Sequence, residues 1–262
     1  MNITSFTLWV TNIAMRCYLQ NIILSTLICF LLLCSSPLAA DSNLLFNSNS
    51  LTMQEGDGFE VGDDKRQMVT LEHVSAWSWG DLYAFYDDIK EKNTHITSYY
   101  YEISPRFSMQ PYGLNIDSTF IKDILLATTL ERGSSDVKAY LIGPGVTWNL
   151  PPQFHLETNI YFRNNPDFDG NTWQLTTAWA IPFNTGLNSF LFDGYIDVRG
   201  SEGNAKSEIN FNPQIKVDLG QYAGYPGIIY AGIEYYYWNN KFGINGADER
   251  ALSLLLQARH SF

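Results

Sequence analysis

Cysteine is nearly missing from this chain. Its 262 residues include three, Cys17, Cys29 and Cys34, all near the start, so no disulfide can staple the remainder, whose stability must come from its architecture. Charge is sparse at 16% and leans acidic, with 16 Lys+Arg against 27 Asp+Glu and a formal net charge of -11. Phosphate backbones are held by clustered Lys and Arg, so nucleic acid is excluded as a partner. Long hydrophobic runs are lacking too: after Ala40 nothing approaches the roughly 18 apolar residues of a membrane-spanning helix, and the mean hydropathy of -0.13 excludes a polytopic helical membrane protein. No HExxH, GxSxG, Gly-rich phosphate loop or Cys/His metal spacing is present. The reading is therefore a non-enzyme with no catalytic residue, metal site or cofactor. Aromatic residues are what the chain has in excess, at 15%.

Residues 1–40 read as a secretory leader. Arg16 is the sole charge there, Ile22 to Cys34 is an apolar stretch too short to span a bilayer, and Ser35-Ser36-Pro37-Leu38-Ala39-Ala40 supplies small residues for cleavage before Asp41. A start at Met15 would give a leader of ordinary length. Leu33 is too bulky before Cys34 for a good lipoprotein box. Residues 41–262 are then the exported domain.

That domain alternates with period 2 in segments of about ten residues, punctuated by Gly, Pro, Asn and Asp. Ile209, Phe211, Pro213, Ile215, Val217 and Leu219 alternate with Glu208, Asn210, Asn212, Gln214, Lys216 and Asp218. Residues 99–108, 154–163 and 190–199 repeat the pattern. The apolar faces are five or six residues deep, longer than usual soluble strands, and at a rise of about 3.3 Å and a tilt near 40° such strands cross a hydrocarbon core of about 25 Å. Tyr99, Trp148, Phe162, Trp173, Trp179 and Tyr237 stand towards segment ends, as interfacial girdles would. The expected fold is an all-β transmembrane antiparallel barrel. Eleven segments are clear between 68 and 262, and the twelfth that an even-stranded barrel needs is sought in Leu44–Met53, whose alternation is poor. Twelve strands put both termini on the periplasmic side. Trp77–Gly80, Asn149–Pro152 and Pro182–Leu187 become turns, while Glu55–Arg66, Lys90–Thr97, Asn164–Gly170, Gly200–Lys206 and Asn239–Glu249 become external loops.

In a closed barrel the polar faces point inward. They carry charges of both signs, so two readings stand: a plugged barrel whose charges pair off, and a narrow wet channel. Aromatics share those faces, and a flat ring offers stacking worth about 1–3 kcal/mol per base; lumen filling alone would also explain them. Of the four histidines, His155 is on a clear polar face, with no nucleophile placed near it; His95 reads as a loop residue, His73 and His260 as interfacial.

Specific runs resemble a known family. Tyr101-Glu102-Ile103-Ser104-Pro105-Arg106-Phe107-Ser108 is similar to the E-x-x-P-R-F-S run of the Tsx-type nucleoside-specific channels. Leu71-Glu72 followed by Asp81-Leu82-Tyr83-Ala84-Phe85-Tyr86-Asp87 resembles that family's acidic hairpin, with Ala84 where Gly is usual. Tyr230 to Gly243 (YAGIEYYYWNNKFG) resembles its OmpK-like branch, and a C-terminal Phe262 looks like an outer-membrane barrel ending, with His260 departing from the usual aromatic. The resemblance implies a monomeric twelve-stranded barrel of the Gram-negative outer membrane, surrounded by lipid, whose lumen binds nucleosides weakly. On the matching motifs the lumen residues are Asp81, Tyr83, Phe85, Glu102, Arg106, Glu234, Tyr236 and Trp238; Tyr195 and Asp197 join them from the alternation. Asp81, Glu102, Asp197 and Glu234 are expected to accept hydrogen bonds from solute, Tyr83, Phe85, Tyr195 and Tyr236 to stack, and Arg106 to orient a carboxylate. The competing function is a surface receptor whose acidic external loops are bound by phage or another cell.

Overall fold

The computed structural model describes residues 43–261 apart from 115 and 117; the expected leader and Phe262 lie outside the described residues. Twelve strands follow one another: β1 (Leu44–Asp57), β2 (Lys65–Trp77), β3 (Gly80–Glu91), β4 (Thr97–Ser108), β5 (Ile121–Gly133), β6 (Lys138–Trp148), β7 (His155–Asn164), β8 (Thr172–Thr185), β9 (Asn188–Arg199), β10 (Glu208–Asp218), β11 (Ile229–Asn239) and β12 (Glu249–Ser261). Each pairs antiparallel with its neighbours in sequence, and β1 closes the sheet on β12 from Ser48↔Ser261 to Asp57↔Leu252. Closure pairs the two end strands with each other, so the described residues, which include no cysteine, satisfy their backbone within one continuous sheet.

The period-2 alternation becomes an outside and an inside. Along β12, Leu252, Leu254 and Leu256 are 49%, 68% and 51% exposed, while Ser253, Leu255 and Gln257 on the other face are 1%, 4% and 4% exposed. An apolar exterior around a polar interior inverts a water-soluble protein and is the arrangement that lipid demands. Aromatic contacts mark both rims of the exterior. Trp77, Trp79 and Phe107 pack in sequence at the turn end, at 6.0 and 5.5 Å. Tyr86, Tyr99 and Tyr101 do so at the loop end, at 6.2 and 6.4 Å. Trp179, expected at a rim, instead lies mid-strand against Phe192 and Phe211.

Several boundaries differ from expectation. β1 is longer than the Leu44–Met53 candidate, and β1 and β2 run on until Asp57 and Lys65 face each other, so the expected loop Glu55–Arg66 shrinks to residues 58–64. Cross-strand attraction supports the extension, through Lys65 with Asp57 at 3.9 Å and Lys92 with Glu55. β8 continues to Thr185, leaving Gly186 and Leu187 as a two-residue turn. At the same end, as the strand bounds read from sequence leave room for, short 3₁₀ turns at Gln110–Tyr112 and Gly220–Ala223 follow β4 and β10.

Besides Pro182, which lies in β8 past its last pair with β7 (His155↔Ala180), three prolines sit inside strands. A proline has no N–H for the ladder, and the pairing lapses where each would have donated: beside Pro105 between β4 and β5, beside Pro144 between β6 and β7, and beside Pro213 between β10 and β11. Pro213 faces Gly194 on its other side. Gly194 has φ +144°, and a Cβ there would stand 2.3 Å from the Asn212 carbonyl oxygen. Only glycine lets the two backbones come this close.

Candidate binding lumen

The inward side chains separate into three levels. At the turn end, the Arg106 guanidinium donates to Asp81 at 2.7 and 2.6 Å, to Thr147 at 3.2 Å and to Asn159 at 3.3 Å. It also pairs with Glu157 at 2.8 Å, and Glu157 in turn holds His155 at 3.0 Å. Lys216, 1% exposed, pairs with Asp193 at 2.5 Å, and Arg259 approaches the same carboxylate at 3.9 Å.

At the loop end, Arg163 is clamped by Glu131 and donates to Gln174 at 2.8 Å. Arg199 pairs with Glu208 at 3.2 Å, and Glu208 accepts the Gly243 backbone N–H at 2.9 Å. Arg66 and Lys241 share Glu249. The 58–64 loop folds inward here: buried Phe59 lies beneath the Arg66 guanidinium at 4.3 Å and against Tyr236 at 5.3 Å. Trp238 belongs to this level, with Phe242 at 5.0 Å and the Lys241 amine 4.8 Å above its ring. Burial pushes the Lys241 amine down to about 8, with Glu249 resisting.

Between these levels the charge is of one sign. Glu72 accepts from Tyr83 at 3.1 Å and Ser50 at 3.3 Å, Asp87 from Thr70 at 2.6 Å, Glu102 from Tyr100 at 2.6 Å and Asp197 from Thr176 at 2.5 Å. Glu234 accepts from Gln214 at 2.8 Å and from Gln54. Among the described residues no Lys, Arg or His forms an ion pair with any of these five. Rings line the same stretch: Phe85 is 5.7 Å from both Tyr83 and Tyr100. Tyr195 lies within electrostatic reach of Asp197, Glu234, Glu102 and Asp87, and Tyr236 donates to Gln54 at 3.1 Å. Ala127, Ala139, Leu141 and Tyr161 pack together on the β5–β7 wall and fill that side.

The sequence-derived residues are thus divided. Tyr83, Phe85, Glu102, Tyr195, Asp197, Glu234 and Tyr236 meet in the middle level. Asp81 and Arg106 bond each other at the turn end, and Trp238 stands at the loop-end mouth. Glu72, Asp87, Tyr100 and Gln54 also belong to the middle and were not among the expected site residues. The signal for Gln54 was the polar series Ser48, Ser50, Thr52, Gln54, obscured because Asn47 and Asn49 make the other face of β1 polar as well. Among the described residues no group of three or more His, Cys, Asp or Glu is placed to hold a metal ion.

No family model and no curated protein matches the sequence. Solved structures similar to the chain include a KdgM porin (11% identity, TM-score 0.48, covering 80% of this chain and 98% of that one). A KdgM porin in complex with disordered oligogalacturonate matches at 12% identity and TM-score 0.48 over 80% and 98%. OccK5 (OpdH) of Pseudomonas aeruginosa matches at 12% identity and TM-score 0.35 over 86% and 69%.

Proposed function

We propose that the barrel is a passive outer-membrane channel, not an enzyme, and that its middle level selects nucleosides or similar small, ring-bearing solutes. One observation carries the reading: rings and carboxylates alternate around the middle lumen, and those carboxylates are free of ion pairs while the carboxylates at both ends are occupied. Tyr83, Phe85 and Tyr100 offer a continuous aromatic wall for a base. Glu102, Asp197 and Glu234 hold acceptor capacity for sugar hydroxyls, with Glu72 and Asp87 beside them. Arg106 pairs with and orients carboxylates, those of Asp81 and Glu157. Binding must be weak, because a permeating solute has to leave. Export through a leader cut before Asp41, a monomeric state, and periplasmic termini with the 58–64 loop outside complete the proposal.

A second reading has its own support. The loop end is knitted together: Asp63 accepts backbone N–H groups of Lys65, Asn93 and Thr94 at 3.1, 2.5 and 3.1 Å, and Lys206 donates its backbone N–H to Gly243 at 2.8 Å. A structured exterior suits a receptor that phage or another cell binds.

Single-channel conductance of the refolded chain, titrated with adenosine, thymidine, ribose and maltose, separates the two. Saturable block by the nucleosides and not by the sugars is expected, and Glu102→Gln should weaken it about tenfold, the worth of one hydrogen bond to a charged group. Conductance without discrimination would remove the selective reading. A silent barrel would favour the receptor.

A further inference from the structure

The outer wall at the loop end carries two cations with no carboxylate to neutralise them. Arg132, near the end of β5, and Lys138, at the start of β6, are register partners, so both side chains leave the barrel on one face, where like charges directly opposite destabilise a strand pair. Among the described residues neither forms an ion pair with a carboxylate. Both converge on one ring. The Arg132 guanidinium carbon lies 4.8 Å and the Lys138 amine 5.9 Å from the Tyr140 centroid, and Arg132 also donates to the Tyr140 hydroxyl at 2.8 Å. A further Arg132 nitrogen donates to the Glu131 carbonyl at 2.7 Å, so the guanidinium is anchored to the barrel wall.

The surroundings say what meets these cations. Tyr101, in the aromatic row at the loop-end rim, is the register partner of Arg132 on its other side. Further down the same wall Ile142 and Phe162 are 49% and 56% exposed, continuous with the apolar band. Two cations fixed at an aromatic rim above an apolar wall match an anionic headgroup whose acyl chains lie against that wall. We propose that Arg132 and Lys138 clamp the phosphate of a lipid headgroup in the leaflet at the loop end, with Tyr140 as the platform that holds both. The assignment rests on the membrane-channel reading and needs no particular solute in the lumen.

The test is native mass spectrometry of the full barrel released from detergent, offered phosphatidic acid or diacylglycerol with the same acyl chains. The wild type is expected to prefer phosphatidic acid by about thirtyfold, the combined effect of two basic side chains at a membrane surface. Arg132→Ser with Lys138→Ser should abolish that preference, and Arg132→Lys should retain most of it. Undiminished preference in the double variant would overturn the proposal. So would complete displacement of the lipid by excess inorganic phosphate, which would define a phosphate-ion site instead. Planar-bilayer conductance of each variant separates the two levels of the argument. A lost lipid preference with intact conductance concerns the clamp alone, whereas failure of every form to insert would sink the channel reading.

Discussion

Arg106 shows how one side chain can be legible in sequence while its set of partners is not. Its place on the polar face of an alternating strand marked it as a lumen residue, but its partners Asp81, Glu157, Asn159 and Thr147 come from three other strands whose relative stagger the sequence does not state. Arg106 is 2% exposed, and removing it strands two acidic partners, so Arg106→Ala should cost about 3 kcal/mol. The measurement is the urea midpoint of unfolding; loss of nucleoside block with an unchanged midpoint would return Arg106 to the binding site. Asp63 makes the matching case outside the membrane. Burial alone would raise its carboxyl, but the N–H groups of Lys65, Asn93 and Thr94 outweigh burial and hold it well below the usual carboxylate range. A depressed carboxyl stabilises fully above its unfolded value near 4 and loses that contribution as pH falls further towards its folded value. Amide exchange at Asn93 and Thr94, corrected for intrinsic rate, should therefore show the same protection at about pH 7 and pH 5, and lose it only below about pH 4. Asp63→Asn should reduce protection at every pH.

At the scale of elements, legibility followed one-sided patterning. β10 was readable almost to the residue, because one face is apolar and the other polar along its whole length. β1 was nearly lost: Asn47 and Asn49 share its outer face with Leu51 and Met53, so two polar faces hid a strand that extends to Asp57. The prolines were compatible with strands because the ladder gives way on their N–H side, and the Gly194–Pro213 contact shows the accommodation. Gly194→Ala forces a Cβ against the Asn212 carbonyl and an alanine into a φ that L-residues avoid, which should cost about 1–3 kcal/mol. A lower yield of the compact, heat-modifiable form on gel electrophoresis, together with a lower urea midpoint, would register it. An unchanged yield and midpoint would show that β9 and β10 can separate at no cost.

For the whole molecule, twelve strands and the division into inside and outside could be anticipated, while the segregation of lumen charge could not, because it depends on which strand levels face one another across the barrel. That segregation has an electrical consequence. Paired charges at the ends contribute little net field, whereas five carboxylates without ion pairs in the middle favour mobile cations. A potassium chloride gradient should thus give a reversal potential of the sign that marks potassium permeability above chloride, and substituting Glu102, Asp197 and Glu234 together with Gln should move it towards zero. An anion-selective wild type would refute the lumen assignment. The seam between β1 and β12 carries another implication. Ser48 and Ser261 are register partners, so the strand that begins the described chain and the strand that ends it lie side by side, and geometrically the barrel is a ring in which the break in the polypeptide could fall between any two strands. Rejoining the polypeptide across that seam and opening it at Leu187, 96% exposed in its two-residue turn, would preserve every strand pairing while making β9 the first strand synthesised and β8 the last. The order in which the wall is assembled is therefore separable from the wall itself.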